Sequence, residues 1–391
     1  MEYTLTALLA SENCNDLYTS LAVDDILMQI IKVCRSSNCR DFLELFLQKG
    51  NDKANDRDLY IRLSPLALII TVSLGAPYIN RFAHKFAKFY VDYYLASASE
   101  VEVIKKARDL GLDIEKSDSC FNEVDLYITR RNTIVRICYR YRIHFISYLK
   151  AVRTLSSTEV VWSLSATPLY RGYVLIENYE KVMRIFMEYL RNLVSSRIKS
   201  IHTLCSNPKG ILLSYIDKIN SLDQNVGKDV RDFIESLTTS ELNIDSRSLN
   251  IDRNSLGVKD ISIANIANIL KDIKTLMLFS ESFFPPCIQS ILRSLINSEN
   301  LTHHQRFALA TFLINLNASI DDLLQIFRYS PDFNEKVTRY QLEHLAGLRG
   351  SKRRYLPYNC LTMKTLGMCN SECNVKSPLQ YLYRKIKSRT Q

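Results

Sequence analysis

The sequence predicts a mostly α-helical protein with a small α/β subdomain. An N-terminal helical and α/β region is followed by a polar connection and then by an all-α C-terminal domain rich in cysteine. Three observations carry this reading. Apolar residues recur at helical spacing through the first 110 positions. A segment around residue 140 alternates with period two. Beyond a polar stretch that ends near residue 262, only helical spacing returns.

In the first region, Leu21, Ile26, Ile30 and Val33 share one helical face, as do Phe82, Phe86, Phe89 and Tyr93. Arg81, Lys85 and Lys88 make the second of these helices basic. The run from Pro65 to Pro77 is the most apolar in the chain. It falls short of the roughly 20 apolar residues that span a bilayer, so it predicts a buried helix and no membrane partner. A helix that begins near Ser99 should stop at Gly111. From Val135 to Phe145, apolar residues alternate with Arg136, Cys138, Arg140, Arg142 and His144, which predicts one strand with an apolar and a basic face. Gly172–Ile176 predicts a second strand, and Asn178–Ile201 a long amphipathic helix. Ten of the 22 residues from Glu241 to Ser262 are Asn, Asp or Ser, the composition of a linker. The expected divisions are therefore 1–204, 205–262 and 263–391. In the last, Ile266, Ile269, Leu270, Ile273 and Met277 form a helical stripe, and Pro285-Pro286 places Cys287 in the first turn of a new helix. Helices are expected at Arg306–Leu316 and Ser319–Phe327, the second capped by Ser319.

The chain carries a formal net charge of +10. From Cys287 onward there are 15 Lys and Arg against 7 Asp and Glu, so the basic excess concentrates at the C-terminal end and points to phosphate-bearing partners or to a solvated basic surface. A second basic stretch, Arg130–Arg153, holds seven Lys and Arg and no acid. It reads either as a contact surface or as an exposed sheet face.

Of the 10 cysteines, Cys14, Cys34, Cys39, Cys120, Cys138 and Cys205 stand among apolar residues or alone. The start Met1-Glu2-Tyr3-Thr4 lacks a basic signal region, so these six are expected to be reduced thiols, buried or incidental. Cys287, Cys360, Cys369 and Cys373 are different. Their spacing, C-x72-C-x8-C-x3-C, brings four thiolates from three places in the chain, which suits a [4Fe–4S] cluster or a four-cysteine zinc site. One short pair rather than two knuckles favours iron–sulfur, without deciding it. The one Asp-x-Asp, Asp56-Arg57-Asp58, follows a polar stretch rather than a strand, so no catalytic carboxylate pair is expected.

The flanking residues carry more. Phe284-Pro285-Pro286-Cys287-Ile288, Leu301-Thr302-His303-His304-Gln305-Arg306-Phe307, Tyr340-Gln341-Leu342-Glu343-His344-Leu345-Ala346-Gly347 and Tyr355-Leu356-Pro357-Tyr358-Asn359-Cys360, followed by Cys369 and Cys373, resemble the large, non-catalytic subunit of archaeal and eukaryotic DNA primase. The resemblance covers about 265–385, and continues more weakly through His144–Leu149 and Arg171–Val174. The chain length suits an archaeal member. The resemblance implies a [4Fe–4S] cluster on Cys287, Cys360, Cys369 and Cys373, and a heterodimer in which a small catalytic subunit docks on the N-terminal region. It implies that His303, Arg306, Tyr340, Gln341 and His344 contact template DNA and the 5′ end of the RNA primer. Thr302 and His304-Gln305 depart from its pattern, which leaves contact at Thr302 open. Beside it, the residues themselves allow Lys352, Arg353 and Arg354 either to track a phosphate backbone or to be a solvated loop. Tyr355 and Tyr358 suit base stacking or packing around the cysteines, and His344 suits a core position as well as a contact. The expected setting is cytoplasmic, with the nucleoid-associated replication machinery. The competing functions are a free-standing iron–sulfur repair enzyme and a zinc nucleic-acid module.

Overall fold

The computed structural model describes residues 1–36, 39–47, 57–76, 78–128, 133–153, 162–241, 273–350 and 352–388. In chain order, the first helices are α1 (Glu2–Ala10), α2 (Cys14–Leu21), α3 (Asp24–Ser36), α4 (Cys39–Leu47), α5 (Arg57–Leu74), α6 (Tyr78–Phe89) and α7 (Glu100–Asp109). The α/β segment holds β1 (Ile114–Lys116), β2 (Asn122–Ile128), β3 (Thr133–Tyr139), β4 (Tyr141–His144), α8 (Phe145–Val152), β5 (Leu169–Tyr170) and β6 (Tyr173–Ile176). Then come α9 (Tyr179–Thr203), α10 (Pro208–Leu222), α11 (Gln224–Glu241), α12 (Ile273–Phe283), α13 (Pro286–Ile296), α14 (His303–Asn315), α15 (Ile320–Phe327), α16 (Glu335–Leu345), α17 (Cys360–Thr365) and α18 (Pro378–Lys387). The chain is thus mostly helical with a small sheet region, the class its periodicity predicts. No described helix is long and apolar enough to cross a membrane.

Contacts divide the chain into two units that do not follow the expected boundaries. One comprises Met1–Ile30, Asn55–Gly75 and Phe82–Leu212; the other comprises Ile31–Ala54, Ala76–Arg81 and Leu213–Gln391. In the first, α9 is the organiser. Val182, Ile185, Phe186, Leu190, Val194, Ile198 and Ile201 recur every three or four residues and are buried, so one stripe faces α1, α5, α8 and β6. Glu188 is buried on the same helix and tolerated because Arg191 and Arg184 hold its two oxygens at 2.9 and 3.3 Å. The helix starts where expected, with the Asn178 side chain accepting from the Lys181 amide. Helix α7 likewise starts in a Ser99–Glu102 capping box, and the chain turns after it at Gly111, whose φ of +94° suits only glycine. After α6 the helix widens into a π-turn at Tyr90–Tyr94, over which Phe82, Phe86, Tyr90 and Tyr94 stack at ring separations of 5.5, 6.1 and 5.0 Å.

The strand expected from Val135 to Phe145 is not one strand. It breaks at Arg140. Below the break, β3 pairs with β2 in a two-stranded hairpin; above it, β4 enters a separate antiparallel sheet of order β1-β4-β6-β5. Phe145, expected at the strand end, opens α8 instead. The break also splits the basic face. The Arg142 guanidinium lies between the Phe121 and Tyr173 rings, at 4.3 and 4.4 Å, and its Nε donates to Glu115 at 2.8 Å. Arg136 approaches Glu123 at 3.9 Å. Arg130 and Arg131 lie outside the described residues.

The expectation for the first six cysteines is corrected. They are not reduced thiols: Cys14 pairs with Cys205, Cys34 with Cys39, and Cys120 with Cys138, with Cα separations of 5.4, 4.7 and 5.2 Å. The physical reason is proximity that spacing along the chain does not reveal. In the first pair, Cys14 opens α2 and Cys205 follows the end of α9, two ends that packing brings together across 191 residues.

The segment expected as a helical and polar connection from residue 205 forms α10 and α11, as far as Glu241. Helices α10 and α11 bury Tyr215, Ile219, Phe233 and Leu237, and α11 packs on α4. The Asn/Asp/Ser-rich stretch and most of the Ile266–Met277 stripe lie outside the described residues. The C-terminal core is built on aromatic rings. Phe279 stacks on Phe283 at 4.6 Å, and Phe284 meets Phe312 edge to face at 4.9 Å. Leu292, Leu309, Leu313, Met363 and Leu382 complete it, fully buried.

Candidate functional site

Two structures share the C-terminal part of the chain: a group of thiols and a cavity. The Cys287 position follows from local sequence. Pro285 is the N-cap of α13 and Pro286 its first residue, so the cysteine lies in the first turn as expected. Gln289 ties that turn to the end of α12 by donating to the carbonyls of Ser280 and Phe284 at 2.9 and 2.8 Å. Cys360 opens α17, whose cap is the Asn359 side chain. Its amide donates to Lys376 O at 3.0 Å, which brings the loop carrying Cys369 and Cys373 alongside. Helix α18 holds the far side of that loop: Gln380 accepts from the Lys376 amide at 2.7 Å and Arg384 donates to Asn374 O at 3.3 Å.

Cys287, Cys360, Cys369 and Cys373 are the free cysteines, and they are electrostatic neighbours. Burial, followed by the Cys369 sulfur, pushes the Cys287 thiol up to about 12. Burial, then Cys369 and Cys373, raises the Cys360 thiol; burial, then Cys369, raises that of Cys373. Each thiolate would therefore form at a cost to the others, which a bound cation offsets. Among the described residues, no set of three or more His, Cys, Asp or Glu is arranged to hold a metal ion. Tyr381, which nothing in the sequence singled out, lies against the group: burial and then the Cys373 and Cys287 sulfurs raise its hydroxyl.

The cavity has a volume of about 400 Å³, in the range of small-molecule sites. His303, Arg306, Tyr340, Gln341 and His344 all line it, although they come from α14 and α16. Helix α14 begins at His303 because Thr302 caps it. The Thr302 hydroxyl accepts from the Gln305 amide, and Gln305 Oε1 accepts from the Thr302 amide, in a capping box. So Thr302 and Gln305, which depart from the resemblance, have a structural task. Tyr340 is 57% exposed and Arg349 stands over its ring. His344 is half-buried, with its ring 5.5 Å from Tyr355 and packed close beneath Gly350. Arg306 is already engaged: Nε donates to Leu301 O at 3.1 Å, and Nη2 donates to Asn300 Oδ1 at 3.0 Å and to both Asp332 oxygens at 2.9 and 2.8 Å.

The tyrosines and the basic run resolve differently. Tyr358 lies tilted against Phe307 at 4.6 Å and bonds to His304 Nδ1 at 3.0 Å, and Tyr355 meets Phe307 edge to face. Both therefore pack the ground between cavity and cysteines, and Tyr355 also lines the cavity. Arg354 donates to the Ile314 and Asn317 oxygens at the end of α14. Lys352 and Arg353 stay exposed and, among the described residues, form no ion pair.

Residues 278–390 match the sequence profile of the C-terminal domain of the eukaryotic and archaeal DNA primase large subunit. The DNA primase large subunit PriL of Methanococcoides burtonii is 25% identical over 326 residues, 82% of this chain and 73% of that protein. Its counterpart from Methanopyrus kandleri is 33% identical over 183 residues, 46% of this chain and 42% of the relative; that of Archaeoglobus fulgidus is 42% identical over 106 residues, 27% and 28%. The C-terminal part of the chain is thus similar to the large subunit of archaeal DNA primase, and a weaker likeness runs on over most of the chain. The matches to the last two relatives span less than half of their length. What sequence reasoning missed is the support around the cavity and the cysteines: Asp332 and Asn300 on Arg306, and Tyr381 beside the thiols. For Asn300 and Tyr381 the one signal was position, within a turn or two of a residue already singled out; Asp332 gave none.

Proposed function

We propose that this chain is the non-catalytic large subunit of a heterodimeric primase. In this reading it binds a small catalytic subunit, template DNA and the initiating nucleotide at the primer 5′ end, and so supports RNA primer synthesis in the cytoplasmic replication machinery. The observation that carries it is the cavity. Five positions from two separated motifs line one 400 Å³ space, with an arginine, two histidines and an exposed tyrosine on its wall. That is the chemistry of a site for a phosphate and a base. The exposed Lys352 and Arg353 suit the adjoining backbone.

In the same reading, Cys287, Cys360, Cys369 and Cys373 hold a [4Fe–4S] cluster. The cluster would supply positive charge that keeps four crowded thiols ionised, and so would tie α13, α17 and the loop before α18 together. The chain's own residues do the rest: the α14 N-terminus and Arg306 receive the triphosphate, and Tyr340 offers a face to a base. No carboxylate pair suited to phosphoryl transfer is expected here, so the chemistry belongs to the other subunit.

The test is primer synthesis with and without the small catalytic subunit. The purified chain alone should make no dinucleotide. With the partner added, Arg306→Ala should lower initiation at least tenfold, about 1.4 kcal/mol, while changing extension of a preformed primer little. Dinucleotide synthesis by the chain alone, or equal loss in both assays, overturns the reading.

A further inference from the structure

Arg306 is the cavity's strongest cation, yet it does not wait free. Its Nη2 is held by both oxygens of Asp332, at 2.9 and 2.8 Å, and the Ser330 hydroxyl donates to Asp332 Oδ1 at 2.6 Å. Among the described residues no carboxylate lines the cavity itself; Asp332 reaches Arg306 from between Ser330 and Phe333, which do line it. The pair is accessible, its side chains 30% and 34% exposed. Among the described residues Nη1 has no protein partner, so one edge of the guanidinium is left for a second acceptor. Two neutral groups, Asn300 Oδ1 and the Leu301 carbonyl, hold the same side chain in place without adding charge.

We infer that Asp332 is a counter-charge that limits how tightly the cavity holds an anion. This rests on the proposed triphosphate site and adds to it a residue that sets its affinity. An anion on Arg306 shares the guanidinium with a carboxylate already bonded to it. The two negative charges repel, and the complex is weaker than an unopposed arginine would make it. Orientation does not need Asp332, because Asn300 and Leu301 supply it. A site that must take a 5′ triphosphate at the start of synthesis and release it later gains from such a restraint: the anion is held, though not permanently.

The substitution that isolates the charge is Asp332→Asn. The bonds from Arg306 Nη2 and Ser330 both fall on Oδ1, which asparagine keeps, while the charge and the Oδ2 acceptor are lost. ATP, ADP and AMP binding to the full-length chain is measured by calorimetry at low and high salt, beside Asn300→Ala and Arg306→Ala. ATP should bind Asp332→Asn roughly two- to fivefold more tightly, as suits a partly exposed ion pair. The gain should fall from ATP to AMP and shrink at high salt. Asn300→Ala, which loosens Arg306 without altering charge, should bind ATP more weakly. A purely structural Asp332 has no reason to give a gain graded by phosphate charge. Unchanged or weaker ATP binding by a folded Asp332→Asn overturns the inference while leaving the site intact. Absence of ATP binding in the parent chain, or its persistence unchanged in Arg306→Ala, overturns the site and the inference with it.

Discussion

Cys14 and Cys205 stand 191 residues apart and are joined covalently; Cys287, Cys360, Cys369 and Cys373 stand closer in sequence and remain free. The two regions use one residue type in opposite ways. In the first 205 residues cysteines meet in twos, each pair at an element end or loop beside its partner, so each pair closes on itself. From Cys287 onward they meet as a group, where burial and mutual repulsion raise the thiols at Cys287, Cys360 and Cys373. A pair needs only an oxidant. A group of four that resists ionisation stays protonated unless a cation is bound. Count and spacing along the chain therefore do not separate paired from free cysteines; which thiols the fold brings together does.

The contrast is broken first by Cys360→Ser. If the four thiols hold a cluster, this variant should lose its iron and the cooperative unfolding of the C-terminal core, read by iron per chain and by circular dichroism during thermal melting. Full iron retention in a folded variant would sink the cluster and equate the two regions. Next in size is Cys14→Ser combined with Cys205→Ser. Losing a cross-link across 191 residues should cost about 5 kcal/mol of stability on the chain-entropy account, measured by denaturant titration, with iron content unchanged. Loss of iron there would show that the two cysteine systems are coupled. The smallest effect is expected at Gly347→Ala. Its φ is +78°, and a Cβ would meet the Arg353–Arg354 backbone at 2.9 Å. The change should cost about 1–3 kcal/mol and shift the loop that carries Lys352 and Arg353, weakening single-stranded DNA binding while both cysteine systems stay intact.

Much of the site was legible because its signals are local. Pro285-Pro286 ahead of Cys287, Ser319 ahead of α15 and Asn178 ahead of α9 are caps, and a cap acts on amides within its own turn. The helical stripes and the period-two run were likewise readable, since each reflects which face of one element is apolar. The end of the run was not. Arg140 interrupts the strand because β3 and β4 belong to different sheets, and sheet membership depends on partners elsewhere in the chain. The helical and polar connection expected from residue 205 gave no sign of what it packs on, because Tyr215, Ile219, Phe233 and Leu237 are buried only once a second surface covers them.

What the sequence determined alone is therefore the helical class, the caps, the basic C-terminal end and the motif residues that mark the family. Tertiary structure decided which side chains meet: Cys14 with Cys205, Asp332 with Arg306, and α14 with α16 across one cavity. The physical reason is range. Backbone propensity and capping act over a few residues, whereas a disulfide, an ion pair or a cavity wall requires two distant segments to arrive at the same place, and only the packing of the core fixes that.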